Sequence, residues 1–412
     1  MSQQGPIVVA TDPQSSALGP ALAGVDAFPL IETGWPDAAD AVARLQPAAV
    51  IAIDAAAHAD VLDGLARQTA ATAPYTPLIA LDPGPALPPN ALPLASSGHV
   101  ASRLSARLNA ALRVRALHAM LLRRLASANL PLPAGDPLHD ATALLIGRGG
   151  SYPALSVALG ERMGVVGALS IEAAARHLNA RELDGIIIGD GFTPRVVDAF
   201  LTVLAEDSRF RNLPVALATG TAPAASYGLA NLEPMPGDDP ATVAAHAAPL
   251  IRQRAFEARI DRALKSIDVG GLLDPRTGLL TREAFKRDFA AAVADTLARG
   301  AGLAVARIAF APGSASERVR LDAARILGRL MRRMDFATLE GRDAILTVFA
   351  DASLRDAHMI ARRLGSVLKH TLHNPGRPRQ IDPQIAVAAL LPGDTPESLL
   401  ARLDTEPRRA AS

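Results

Sequence analysis

Two segments near the C-terminal end combine residue types able to do chemistry. Arg332-Arg333-Met334-Asp335 sets a guanidinium and a carboxylate three residues apart, and Gly341-Arg342-Asp343-Ala344-Ile345 follows six residues later. A planar guanidinium forks onto phosphates, carboxylates or guanine edges. A glycine lets a backbone come close to such a group. Two further carboxylates, Asp54 and Asp190, close the apolar runs Val50-Ile51-Ala52-Ile53 and Gly185-Ile186-Ile187-Ile188.

The elements that must position these residues fall into three units. At 412 residues the chain is too long for one core. In the first unit, Ile7 to Ala10, Val50 to Ile53 and Pro77 to Leu81 read as strands, with helices over Ala38 to Leu45 and Val61 to Thr69. Short apolar strands alternating with helices predict a parallel sheet covered on both faces. A helix from His99 to Ala126 leads to the breaker Leu130-Pro131-Leu132-Pro133-Ala134-Gly135, which reads as a linker.

The pattern then repeats. Strands over Leu144 to Ile146, Gly185 to Ile188 and Pro214 to Leu217 alternate with helices near Ala154 to Met163, Ile171 to Leu178 and Arg195 to Glu206. A second long helix, Ala241 to Ile267, delivers the third unit. There, strand Leu303 to Phe310 precedes an amphipathic helix whose stripe is Val319, Ala323, Ile326, Leu330 and Met334, with Arg318, Arg325, Arg329 and Arg332 off it. Strand Ile345 to Phe349, helix Asp356 to Leu368 and strand Ile385 to Ala389 complete an α+β pattern, and the tail after Thr405 is expected to fray. The expected domains are residues 1–127, 128–267 and 268–412, an α/β multidomain chain of two flavodoxin-like parallel units and one α+β unit.

Composition narrows the chemistry. There is no cysteine, which excludes disulfides, thiol catalysis and cysteine-held metals. The nine histidines lack the spacing of a helical zinc site. A formal net charge of +1 gives no reason to expect a nucleic acid polymer or a membrane as bulk partner. Nearly all basic residues are arginine; Lys265, Lys286 and Lys369 are the only lysines. The N-terminal residues carry no signal-peptide pattern and no apolar run reaches the length of a membrane span, so a cytoplasmic protein is expected.

A carboxylate at the end of the third strand of such a unit resembles the phosphoacceptor of bacterial receiver domains, which makes Asp54 and Asp190 the candidate phosphoacceptors. The resemblance also implies an acidic pair after the first strand to hold Mg²⁺, a hydroxyl after the fourth and a lysine after the fifth. The first unit keeps Asp12 beside Thr11, has Leu81-Asp82 at the hydroxyl position and lacks the lysine. The second has Gly147-Arg148 for the acidic pair, Thr219 at the hydroxyl and Met235-Pro236 where Lys-Pro belongs. Both units are therefore expected to be pseudo-receivers, serving interaction and dimerisation.

The run Asp274-Pro275-Arg276-Thr277-Gly278-Leu279-Leu280-Thr281-Arg282-Glu283-Ala284-Phe285 resembles the opening motif of GGDEF domains, the catalytic domains of diguanylate cyclases, at Asp274, Thr277, Gly278, Leu279, Arg282 and Phe285. The likeness covers roughly Asp274 to Arg402. Two receivers ahead of it give the order of PleD/PopA-like response regulators. The resemblance implies condensation of two GTP molecules by two metals, with a metal-binding aspartate on the first strand. Arg307 stands there, and Ala309 follows where another acid is common. In the signature turn Gly341 and Asp343 match, Arg342 replaces the second glycine, Ala344 the glutamate and Ile345 the phenylalanine. Catalysis is expected to be lost and no metal is expected.

The same resemblance implies an inhibitory site for the product, cyclic di-GMP, in which an arginine reaches the guanine Hoogsteen edge and phosphate and an aspartate accepts from guanine N1 and N2. Arg332 and Asp335 match this pair; Arg363 or its neighbour Arg362 is placed to close the site. The expectation is a non-catalytic cyclic di-GMP receptor. As an adaptor of that family it is implied to recruit protein partners in cell-cycle control and regulated proteolysis, to sit at a cell pole, and to dimerise through the receiver-like units. The alternatives are an active diguanylate cyclase and a phosphorylation-driven scaffold that binds no nucleotide.

Overall fold

Ile7, Val8, Val9 and Ala10 are all fully buried, and their neighbours in sequence point to opposite faces of a sheet. In the computed structural model Ile7, Val9 and Ile51 join one apolar cluster, while Val8, Ala10, Val50 and Ala52 join another on the opposite face. This two-sided burial explains the unbroken apolar runs. The structure describes residues 6–13, 15, 22, 29–97, 99–128, 135–218, 227–235, 239–268, 270–299, 302–311, 315–332, 334–372 and 381–405. Thr219, Pro236, Arg333, the expected linker residues 130–134 and the tail after Thr405 lie outside them.

The first sheet comprises β1 (Ile7–Thr11), β2 (Leu30–Gly34), β3 (Ala49–Ala52), β4 (Leu78–Leu81) and β5 (Ala91–Leu94), with helices α1 (Ala38–Leu45), α2 (Ala59–Ala70) and the 29-residue α3 (Val100–Ala128). All pairings are parallel, in the order β2-β1-β3-β4-β5. The second comprises β6 (Thr142–Ile146), α4 (Tyr152–Gly160), β7 (Gly164–Ala168), α5 (Ile171–Ala180), β8 (Gly185–Ile188), α6 (Pro194–Glu206), β9 (Val215–Leu217), β10 (Leu232–Pro234) and α7 (Pro240–Asp268). Its order, β10-β9-β8-β6-β7, is the same one read from the other edge. Both are the doubly wound order 2-1-3-4-5, which opens a crevice at the carboxyl ends of the first and third strands. Asp12, Asp54 and Asp190 stand at those ends.

The third sheet is antiparallel, in the order β12-β13-β11-β14. Its elements are α8 (Arg282–Arg299), β11 (Leu303–Ala309), α9 (Glu317–Leu330), β12 (Phe336–Glu340), β13 (Ala344–Ala350), α10 (Leu354–Thr371), β14 (Gln384–Ala389) and α11 (Pro396–Thr405). Ser353 caps α10 through a reciprocal capping box with Asp356. Two expectations for α9 need correction. The helix ends at Leu330, so Met334 lies beyond it and is 55% exposed rather than on the apolar stripe. Arg325, expected off the stripe, is buried because its Nε donates to the Arg276 carbonyl at 2.9 Å.

The chain divides into two compact units, residues 1–176 with 183–260, and 177–182 with 261–412. In the first, both parallel sheets share one apolar cluster, from Ile51 and Leu104 to Leu145 and Ile251. Glu233 of β10, 2% exposed, receives Arg103 and Arg107 of α3 at 2.8 Å each and the Ala95 amide at 2.7 Å. Burial draws the Arg107 guanidinium below its ordinary pKa while the Glu233 charge pulls it back up. In the second unit Arg181, 1% exposed at its side chain, pairs with Asp322 of α9 at 2.8 Å. No helix among the described residues is long and apolar enough to cross a membrane.

Candidate functional site

The sequence motif from Asp274 to Phe285 builds a turn. The Asp274 carboxylate accepts the amides of Arg276 at 2.7 Å and Thr277 at 3.2 Å, and the Gly278 amide returns to the Asp274 carbonyl at 2.7 Å. Gly278 has φ +74°, a left-handed conformation that favours glycine. The buried Thr277 hydroxyl accepts the Leu279 amide, which seats Leu279 in the core of the third sheet. Phe285 stacks on Phe289 in the cluster on the other face. These residues shape the entrance to the domain and leave the chemistry to others.

The turn Gly341-Arg342-Asp343 joins β12 to β13, with Glu340 and Ala344 paired across it and Gly341 at φ +59°. Arg307 lies on β11, the strand on the far side of β13. Its guanidinium reaches across and forks onto Glu340, Nε to Oε2 at 2.6 Å and Nη2 to Oε1 at 3.0 Å. The pair is mostly enclosed, at 19% and 25% exposure. A planar fork on a carboxylate is the strongest form of this contact. Asp343 is more exposed; its carboxylate lies 3.7 Å from Arg320, and its carbonyl accepts the Phe310 amide at 2.8 Å. Arg342 points to solvent. A divalent metal at this corner would face a fixed cation whose carboxylate is already engaged, so the donor set does not fit one. Glu340 was missed in the sequence. A charged side chain in a strand interior requires a partner, and the acid just ahead of Gly341 was the signal.

The loop after α9 holds Arg332 and Asp335. Asp335 is 9% exposed; its carboxylate accepts the Ala350 amide at 3.3 Å, and its own amide donates to the Arg332 carbonyl at 3.0 Å. Burial pushes the Asp335 carboxyl above the usual aspartate range, against the opposing pull of the Ala350 amide and Arg332. The Arg332 side chain is exposed, and its charge is felt at both Asp335 and Asp356 at the start of α10. Arg362 and Arg363 are exposed on α10, between the buried Ala361 and Leu364. Asp335 and Arg332 thus share one loop, with the Asp335 carboxylate turned toward the Ala350 amide at the end of β13.

The strand-end aspartates are both held by a serine from the loop after the first strand. Ser15 Oγ donates to Asp54 Oδ2 at 2.5 Å, and Ser151 Oγ donates to Asp190 Oδ1 at 2.5 Å. Asp54 takes a left-handed conformation, φ +56°. Asp12 meets His58 Nε2 at 2.9 Å, and the His58 ring stacks on Trp35 at 4.5 Å. Around Asp190 the loop closes tightly: a Cβ on Gly149 would come within 2.1 Å of Asp190 Oδ2. The Ser151 hydroxyl, with backbone amides nearby, holds the Asp190 carboxyl below its usual range. Arg148 donates to the Gly191 carbonyl at 2.8 Å and lies over the Phe192 ring. In the first unit Asp82, at the expected hydroxyl position, accepts the Ser96 amide at 2.8 Å. Neither serine was singled out in the sequence. Among the described residues no group of three or more histidine or acidic side chains is placed to hold a metal.

No family model matches the chain, and no curated protein matches it. Solved structures similar to it include the coiled coil and GGDEF domain of DgcB from Caulobacter crescentus in complex with c-di-GMP, at 18% identity and a TM-score of 0.31, over 36% of this chain and 84% of that one. The GGDEF domain of FimX from Pseudomonas aeruginosa is 20% identical with a TM-score of 0.30, over 34% and 96%. The active GGEEF domain of a diguanylate cyclase from Vibrio cholerae is 17% identical with a TM-score of 0.28, over 31% and 87%. The structural neighbours of this chain are GGDEF domains.

Proposed function

We infer that the chain is a non-catalytic cyclic di-GMP receptor, with a degenerate GGDEF unit behind two pseudo-receivers, closest in character to the effector PopA. The observation that carries this reading is the fork of Arg307 on Glu340, 2.6 Å and 3.0 Å, at the corner where condensation of GTP needs metal-binding carboxylates. Arg342 in place of a second glycine and Ala344 in place of the glutamate support it. Arg332, Asp335, Arg363 and Arg362 are the residues assigned to the dinucleotide. Asp54 and Asp190, each engaged by a serine, act as structural residues of cytoplasmic interaction modules that dimerise. Such a receptor presents ligand state to protein partners, here in cell-cycle control and regulated proteolysis at a cell pole.

Calorimetry with cyclic di-GMP on wild type and Arg332→Ala tests the receptor. Binding by wild type and a loss of about tenfold to a hundredfold in the variant are expected, the worth of one to two charge-assisted hydrogen bonds. No binding in wild type overturns the receptor, and equal binding overturns the site. Incubation with GTP and Mg²⁺ is expected to yield no cyclic product; turnover would make the chain an active cyclase.

A further inference from the structure

Most arginines of the described chain are engaged by their own fold: Arg103, Arg107, Arg181 and Arg307 hold carboxylates, and Arg115 holds the carbonyls of Pro74 and Tyr75. Around the start of α10 the pattern reverses. The guanidinium groups of Arg332, Arg355, Arg362 and Arg363 are exposed and form no hydrogen bond or ion pair among the described residues. Positions 355, 359, 362, 363 and 366 lie on one side of a helix of 3.6 residues per turn. All five are exposed, so among the described residues nothing covers this side of α10. Asp356 is the only acid of α10, and its carboxylate is tied to Ser353 in the cap, with Oγ at 2.7 Å.

The same surface carries apolar side chains in water. Met359 stands among these arginines at 57% exposure, Leu354 opens the helix at 42%, and Met334 follows Arg332 and Arg333 at 55%. Asp335, next to Met334, accepts the Ala350 amide at 3.3 Å, and Ala350 ends β13 four residues ahead of α10, so this loop lies by the approach to the helix. At 1.5 Å per residue, Arg355 and Arg363 are about 12 Å apart along the axis. An extended chain along this face therefore meets Arg355 and Leu354 as well as the Arg332 and Arg363 assigned to the dinucleotide. Cations interleaved with flexible thioethers and an aliphatic side chain match an extended acidic peptide carrying aliphatic residues, since methionine adapts its shape to such partners. Free phosphates would leave the methionines unused.

We propose that this face of α10 docks an acidic, leucine-bearing segment of a partner protein, and that cyclic di-GMP competes with it for Arg332 and Arg363. The competition rests on the receptor reading above; the docking does not. Peptide and dinucleotide are then alternative occupants, and the chain releases one as it takes the other.

The test uses the full chain and a fluorescent peptide alternating glutamate and leucine, with a second in which serine replaces leucine. Fluorescence anisotropy is expected to show binding of the first, weakened about tenfold with serine and about tenfold in the Arg355→Ala/Met359→Ser variant. That variant is expected to keep its dinucleotide affinity within about twofold and its circular dichroism spectrum, which separates docking from misfolding. Equal binding of the two peptides, or equal binding by variant and wild type, overturns the docking surface. If peptide binds but excess dinucleotide leaves it bound, the competition fails. If the dinucleotide does not bind at all, the receptor reading fails while the peptide arm still decides the surface.

Discussion

The C-terminal unit holds two arginine-rich corners that behave in opposite ways. At the β12–β13 turn, Arg307 is forked onto Glu340 and Arg320 leans toward Asp343, so two cations face carboxylates of the fold while Arg342 points to solvent. At the start of α10, Arg332, Arg355, Arg362 and Arg363 reach into solvent while the nearest acids are capped or buried. An arginine count cannot tell these corners apart; the partner does. A cation with a carboxylate at 2.6 Å is a structural part, whereas the α10 cations have no carboxylate partner among the described residues.

Removing partners sharpens the contrast, and the most enclosed partner should show the greatest effect. Glu233→Ala leaves Arg103 and Arg107 facing a buried gap, and a loss of about 3–5 kcal/mol is expected in urea unfolding. A loss below about 1 kcal/mol would mean that the arginines find water. Glu340→Ala uncovers a less enclosed cation and should cost about 1–2 kcal/mol, whereas Arg363→Ala should change stability by less than about 0.5 kcal/mol. Equal losses at Glu340 and Arg363 would break the comparison.

The smallest effects concern two aspartates whose pKa values move in opposite directions. Folding favours the Asp190 carboxylate, so its contribution is present above the ordinary aspartate value and is lost as pH falls through the lowered one. Asp190→Asn should therefore be less stable than wild type at neutral pH, with the gap closing on acidification. Folding disfavours the Asp335 carboxylate, so its contribution is complete below the ordinary value and is lost as pH rises through the raised one. Asp335→Asn should be as stable as wild type or more so at neutral pH, the gain vanishing near pH ~4. Thermal melts across that range check both signs; two gaps of the same sign would refute the pairing.

The fold was legible where burial is two-sided. Of the apolar runs read as strands, β1, β3, β4, β6, β8, β9, β11 and β13 are interior, and β14 alone lies at an edge. The unforeseen strands β2, β5, β7, β10 and β12 all lie at sheet edges. An edge strand needs no continuous apolar run, and these carry Glu32, Pro93, Gly167 and Glu233. The 3.6-residue pattern marked α9 and α10, but the extension of α9 to Met334 continued a stripe past the point where the chain turns out at Met331.

The candidate site was legible as residue types and not as pairings. Arg307, Gly341, Arg342 and Asp343 were read as a set, yet the Glu340 contact that explains Arg307 spans β13 and is set by sheet order. Asp54 and Asp190 were read as strand ends. Their serines lie 39 residues away in both cases, within reach only because the first and third strands are neighbours.

Gly149 decides how much room the loop after β6 leaves around Asp190. A side chain there would strike Asp190 Oδ2 from 2.1 Å, and one on Gly147 would meet the Tyr152 ring at 3.1 Å. The first contact requires the carboxylate to move, whereas the second asks the ring to give by only a few tenths of an ångström. The Asp190 carboxylate thus occupies the space that any side chain at Gly149 would need, and the loop after β6 stays closed over the strand end.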